Sequence, residues 1–222
     1  MPSLTVENYC KAIRQLSQRG NWPWVAPGQI ASHLGVTPGT VTSMLRTLSD
    51  AMLVEYRPYE GVQLTVAGEG LATRVLRRHR LIEAFLVQTL GLTWDQVHEE
   101  AEHMEHAVSD ALIDRIDAFL GHPPSDPHGD PIPESDGTLR VEEAHGDPLS
   151  AAGPGERFRV TRVLQQSPEF LRYLSGLNIS IGIELSVVEK ADQGVRVVIG
   201  DAETGIWLSP AETAQVLVLR IS

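Results

Sequence analysis

Residues 27–48 read PGQIASHLGVTPGTVTSMLRTL, two short helical patterns parted by a glycine and a threonine. Pro27 stands where it can open the first, since the first helical position has no use for its N–H, and Gly35 ends it. Thr37 offers its hydroxyl to the free N–H groups of the next helix. Pro38 fits the first turn, and Val41, Leu45 and Leu48 line one face. Upstream, Val6, Tyr9, Ile13 and Leu16 recur at helical spacing and predict an amphipathic helix over 5–18. Downstream, LVEY and VQLTV flank the turn RPYEG, which predicts a β-hairpin. Helix-turn-helix plus hairpin is a winged helix, expected over residues 1–70. Its second helix presents Thr37, Thr40, Thr42, Ser43 and Arg46, and its hairpin turn Arg57, as candidate contacts to double-stranded DNA. A winged helix used only for protein contacts is the bland alternative.

The net charge of −11 argues against a nucleic-acid partner until its distribution is read. Residues 1–80 hold nine Lys/Arg against five Asp/Glu, a net of +4, and residues 81–222 hold nine against 24, a net of −15. A basic module joined to an acidic body suits phosphates at one end and cations at the other. The 222 residues, 42% hydrophobic, suggest two or three small domains. No run approaches the roughly 18 apolar residues of a membrane span, and a single cysteine, Cys10, excludes an internal disulfide. With no basic-then-apolar signal in MPSLTVENYC, a soluble cytoplasmic protein is expected, with no membrane partner.

A second helical region is expected from Gly68 to Gln88, with the basic cluster RVLRRHR at 74–80. After Gly91, WDQVHEEAEHMEHAVSDALIDRIDAFLG is expected to run as one helix to Gly121, its apolar face (Val97, Ala101, Met104, Val108, Leu112, Ile116) suited to pairing between subunits. The two helices are expected to fill a domain over residues 71–140. Residues 122–150, with HPPSDPHGDPIPESDG, have the Pro, Gly and Asp content of a linker. Beyond it the period changes to two: RFRVTRVL, ELSVVEK, VRVVIGD and QVLVLRI predict short strands, and PEFLRYLSGL one short helix. A small barrel over 150–222 follows. The fold class is α+β.

HEEAEHMEH (98–106) is too rich in acids and histidines for an ordinary helix face. At about 100° per residue, Glu102 lies roughly 40° from His98, Glu105 about 20° the other way and His106 about 80°. These four would share one stripe. On the preceding helix His79 and Glu83 are one turn apart, and antiparallel pairing would bring them to His98. Mixed imidazole and carboxylate suits Mn, Fe, Zn or Co; incidental histidines on a charged face are the alternative. HEEAEH spaces its histidines one step too far for HExxH. Glu100–His103 fits a di-iron Glu-x-x-His, but its only other copy, Glu142–His145, falls in the linker. No Gly-rich phosphate loop or GxSxG elbow is present, so no enzyme is expected.

The order of winged helix, RRHRLIEAFL, VHEEAEHMEHAVSDAL, PHGDPIP and terminal barrel resembles the diphtheria-toxin-repressor and manganese-transport-regulator family over essentially the whole chain. The resemblance implies a helical dimerisation domain and an SH3-like, FeoA-type barrel. It also implies a cytoplasmic homodimer that binds palindromic operators when loaded with a divalent metal. Two sites per chain are implied. One matches His79, Glu83 and His98, completed by the barrel at Gln166 and Glu169; the other matches Glu102, Glu105, His106 and Asn8 of the first helix. Iron-type members carry cysteine where Glu102 stands, and manganese-type members a carboxylate. Asn8 replaces the aspartate usual in the manganese class, and Lys11 stands at a glutamate position of two-domain manganese regulators, which argues against a binuclear cluster of their kind. Cys10, about 200° from Asn8 on a helix, is not expected to ligate.

The expected function is a Mn²⁺-responsive repressor of metal-uptake genes, with Fe²⁺ as the alternative ion. The rival from another class is a metal-storage or carrier protein whose winged helix does not bind DNA.

Overall fold

A computed structural model describes residues 3–20, 22–140, 146–200, 202 and 204–221. Glu142 and His145 lie outside the described residues. The chain divides into two compact units, one of Met1–His79, Glu105–Val108 and Pro133–Thr138, the other of the remainder.

In the first unit, α1 (Leu4–Gly20), α2 (Pro27–Leu34) and α3 (Pro38–Asp50) are followed by the strands β1 (Val54–Arg57) and β2 (Gly61–Leu64). Gly35 closes α2 in the left-handed conformation, and the Thr37 hydroxyl caps α3 by accepting from the Thr40 N–H at 3.2 Å. The hairpin pairs Val54 with Leu64 through Arg57 with Gly61, and Val25 bridges Val62 from its other edge. Ile13, Ile30, Val41, Leu45, Leu48 and Val62 are buried together, so one core fixes the angle between α2 and α3. The winged helix is built as its caps and periodicity predict.

α4 (Val66–Leu90) is continuous, but the single helix expected up to Gly121 is two: α5 (Val97–Met104) and α6 (Asp110–Phe119). The Ser109 hydroxyl caps α6 by accepting from the Leu112 N–H at 3.2 Å, and residues 105–108 form a turn. Glu105 and His106 therefore leave the helical stripe that 100° per residue assigns them.

The expected linker is also folded in its first half. Asp126, His128 and Ile132 are buried, Ser125 bridges Pro131, and the Val163 N–H donates to the His128 carbonyl at 2.9 Å. Gly129, at φ 86°, lies so close to the Thr161 carbonyl that a Cβ would collide with it.

The last part carries β3 (Asp147–Pro148), β4 (Arg157–Val163), α7 (Pro168–Gly176), β5 (Glu184–Ala191), β6 (Gly194–Ile199), β7 (Ile206–Leu208), α8 (Pro210–Thr213) and β8 (Val216–Ile221). They make a six-stranded antiparallel sheet in the order β3-β8-β4-β5-β6-β7, with Val160, Val187, Val197 and Val218 inside and α7 packed over them through Leu171 and Leu174. This is the small SH3-like domain, and the α+β class holds.

Candidate metal centres and nucleic-acid interface

On α3 the side chains of Thr40, Ser43 and Arg46 are exposed, while Val41, Leu45 and Leu48 anchor the opposite face. The Thr37 hydroxyl serves the cap, and the half-buried Thr42 hydroxyl donates to the Pro38 carbonyl at 3.0 Å. Arg57 is engaged within the wing. Its guanidinium lies 4.4 Å from the Trp24 ring centre and pairs with Glu55 at 2.6 Å and Glu60 at 3.3 Å. Tyr59, at the tip of the same turn, is fully exposed and escaped the sequence reading, since a turn tyrosine carries no local signal of its own.

Within the first unit, Glu105 is a hub with no exposed surface. Its two oxygens accept from the Lys11 ammonium at 2.7 and 2.9 Å. His79 Nδ1 is 2.6 Å from Oε2, and His106 Nε2 is 3.2 Å from Oε1. The other ring nitrogen of His106, Nδ1, meets Glu7 Oε2 at 2.6 Å, a contact that fixes the ring and leaves Nε2 toward Glu105. Among the described residues, Asn8 Oδ1 and His106 Nε2 are buried with no hydrogen-bond partner. Buried polar atoms are seldom left so. A carbonyl oxygen, an imidazole nitrogen and a carboxylate are the donors that a divalent cation of the Mn or Fe kind takes, so the residues present fit a metal. Burial, with Glu69 and Glu7 nearby, pushes the Cys10 thiol up to about 12, which keeps it protonated in the metal-free protein.

Within the second unit the pivot is Glu83, also buried. One of its oxygens is 3.3 Å from His98 Nδ1, and His98 Nε2 is 3.8 Å from Glu102. The other oxygen is 3.6 Å from His128 Nδ1, itself 3.8 Å from Asp126. Glu83, Asp126 and His128 each offer one ligand atom within 4.8 Å of the others, and all three are buried. His128 is held from behind: Nε2 donates to the Trp94 carbonyl at 2.8 Å, and the Trp94 ring lies stacked at 6.3 Å. Asp126 Oδ1 accepts from the N–H groups of His128 and Asp130 at 2.8 and 3.0 Å, which sets the loop. Among the described residues His128 Nδ1 has no hydrogen-bond partner. Burial disfavours the His128 cation, yet Glu83 and Asp126 outweigh it and raise its pKa to about 9. Burial, then Asp130 and Glu83, pushes Asp126 up to about 7. The His128 shift reports the two carboxylates that face its ring, and the Asp126 shift is chiefly one of burial.

Of the two residues expected from the barrel, Gln166 donates to Asp130 Oδ2 at 3.0 Å, beside this loop. Glu169 is exposed on α7 and paired with Arg172 at 3.5 Å. Asp126 and His128 were missed because their segment has a linker's composition; the available signal was an acid and a histidine two apart inside PHGDPIP.

Three family models match: the iron dependent repressor N-terminal DNA binding domain over residues 1–62, its metal binding and dimerisation domain over 65–134, and the FeoA domain over 148–220. The diphtheria toxin repressor of Corynebacterium efficiens is 31% identical over 207 residues, 88% of this chain and 86% of that one. The iron-dependent repressor IdeR of Mycobacterium leprae is 32% identical over 164 residues, 74% of this chain and 68% of that one. Among solved structures, a manganese-dependent transcriptional repressor in complex with manganese superposes with a TM-score of 0.85 at 35% identity, covering 97% of this chain and all of that one. The manganese regulator SloR gives 0.76 at 32%, covering 97% and 98%. Winged helix, metal-type donor sets and FeoA-type sheet thus occur in one order along one chain, and the chain belongs to the diphtheria-toxin-repressor family of metal-dependent, DNA-binding transcriptional repressors.

Proposed function

We propose that this protein is a Mn²⁺-responsive repressor, with Fe²⁺ as a second activating ion, that binds a palindromic operator as a homodimer. The observation that carries it is His106 Nε2, buried without a hydrogen-bond partner and 3.2 Å from Glu105, together with the buried Oδ1 of Asn8, also without a hydrogen-bond partner, on the helix that carries Glu7 and Lys11. A divalent cation would accept lone pairs of this kind. Two sites per chain are proposed. One takes Asn8, Glu105 and His106, and ties α1 of the DNA-binding domain to the 105–108 turn. The other is built on Glu83, with His98 at 3.3 Å. The buried His128 Nδ1 favours a further ligand set, Asp126 and His128, at that same carboxylate.

Two recognition helices bind one palindrome only when their spacing matches successive major grooves. Metal at the Asn8 site favours one position of α1, which is a population shift and not a new fold. Thr40, Ser43 and Arg46 would read or grip the DNA, with Tyr59 at the wing tip. Leu112 and Phe119, two turns apart on α6 and exposed, offer an apolar strip for the second subunit. Electrophoretic mobility of a palindromic promoter fragment, with and without Mn²⁺, tests the reading. Retardation only with metal is expected, and equal retardation in its absence would remove the switch.

A further inference from the structure

Lys11 is a buried ammonium on a helix whose neighbouring buried positions, Tyr9, Cys10, Ala12 and Ile13, are apolar or nearly so. Taking such a charge out of water is costly unless a partner offsets it. Glu105 is that partner: both its oxygens lie within 2.9 Å of Nζ, and His79 Nδ1 is 3.3 Å away, with side-chain exposure of 6% for Lys11 and none for Glu105. A cation taken up by Asn8, Glu105 and His106 needs the same oxygens. It would also sit beside a like charge.

We propose that Lys11 is an internal competitor for the metal. In the metal-free protein its ammonium occupies Glu105 and holds α1 to the 105–108 turn; metal entry requires Glu105 to be released. Lys11 thereby sets the metal concentration at which the protein switches, and keeps Glu105 neutralised until then. The inference rests on the reading of Asn8, Glu105 and His106 as a metal site.

The test is Mn²⁺ affinity of the full chain, measured by competition with a fluorescent chelator, together with the melting temperature of the metal-free protein. Lys11→Met is expected to bind Mn²⁺ about tenfold more tightly, because a like charge is gone, and to melt lower without metal, because buried Glu105 loses its ammonium partner and keeps only the two imidazoles. Lys11→Arg keeps the charge and is expected to stay within about threefold of the parent. His106→Ala is the control for the site itself. If His106→Ala loses Mn²⁺ while Lys11→Met binds no more tightly than the parent, the competitor role is overturned and the site stands. If His106→Ala binds with the parent's stoichiometry and affinity, the site reading falls and the competitor role with it. Should Lys11→Met fail to fold without metal, Lys11→Gln is read against the same outcomes.

Discussion

Glu83 faces histidines on two sides, and the acids around it set how the metal-free protein responds to pH. His128 has its pKa raised to about 9 by Glu83 and Asp126 against burial, so its cation stabilises the fold. A raised folded pKa gives stability that is fully present below the unfolded value, about 6.5, and lost as pH rises through about 9. Asp126, raised to about 7 by burial and by Asp130 and Glu83, works in the same direction between about 4 and 7. The metal-free protein should therefore lose melting temperature as pH climbs from 6 to 9.5, with part of the loss removed in His128→Gln. A flat profile in the parent would show that these groups carry no such linkage. We expect Glu102 to bear on the identity of the ion. Oxygen donors suit Mn²⁺, whereas raw affinity follows the Irving–Williams order, so selectivity must come from geometry, availability and which ion yields the DNA-competent state. The proposed donor set contains no cysteine. Glu102→Cys should move activation of operator binding from Mn²⁺ toward iron, cobalt or nickel. The same ranking of activating metals in both proteins would exclude Glu102 as the determinant.

At the scale of elements, local signals were readable and distant ones were not. Gly35, Thr37 and Pro38 mark the ends of α2 and α3 through interactions within a few residues, so the winged helix could be read outright. On α3, Arg46 projects to solvent, and Arg46→Ala should weaken operator binding by about 1 kcal/mol or more without changing Mn²⁺ affinity; loss of metal with DNA binding intact would reverse that division. The break after Met104 escaped because AEHMEHAVSDAL keeps its helical period across it. What ends α5 there is met elsewhere in the chain: Glu105 turns to Lys11, 94 residues away, and His106 to Glu7, 99 away. The approach of Glu83 to His98 could be expected from two helical patterns paired antiparallel, but that of Asp126 and His128 could not, because Pro, Gly and Asp make linkers and rigid loops alike. Gly129 distinguishes the two cases. It combines positive φ with close approach to the Thr161 carbonyl, whereas Gly155 has φ 84° and open space around it. Gly129→Ala should cost well over the roughly 1 kcal/mol of a strained left-handed alanine, and Gly155→Ala only about that much. Equal melting temperatures for the two variants would mean that the 126–130 loop yields without cost.

The molecule as a whole separates its charge more sharply than its two halves suggest. Residues 81–147 hold 16 Asp/Glu against two Lys/Arg, a net of −14, while residues 148–222 hold eight against seven, a net of −1. The acid thus belongs to the segment with the candidate metal donors, not to the barrel, and +4 belongs to the segment with the recognition helix. Few of those acids are ligands. Glu99 and Glu100 are exposed on the first turn of α5 beside His98, and their carboxylates make a field that gathers cations without binding one in place. That field is screened over about 10 Å at 0.1 M salt and over roughly a third of that at 1 M, whereas the buried donors are screened far less. Mn²⁺ affinity, measured without DNA, should then fall by roughly three- to tenfold between about 0.05 and 0.5 M KCl. The double variant Glu99→Gln/Glu100→Gln should already bind more weakly at low salt, and lose less than the parent as salt rises, because part of the screened term has been removed. Operator binding at saturating Mn²⁺ has a separate salt dependence, from counterions released at the phosphates, and the double variant should keep the parent's slope there. Salt-independent Mn²⁺ affinity in the parent, or a double variant indistinguishable from it at 0.05 M, would show that the acidic segment serves solubility alone and that capture of the ion is entirely the work of the buried donors.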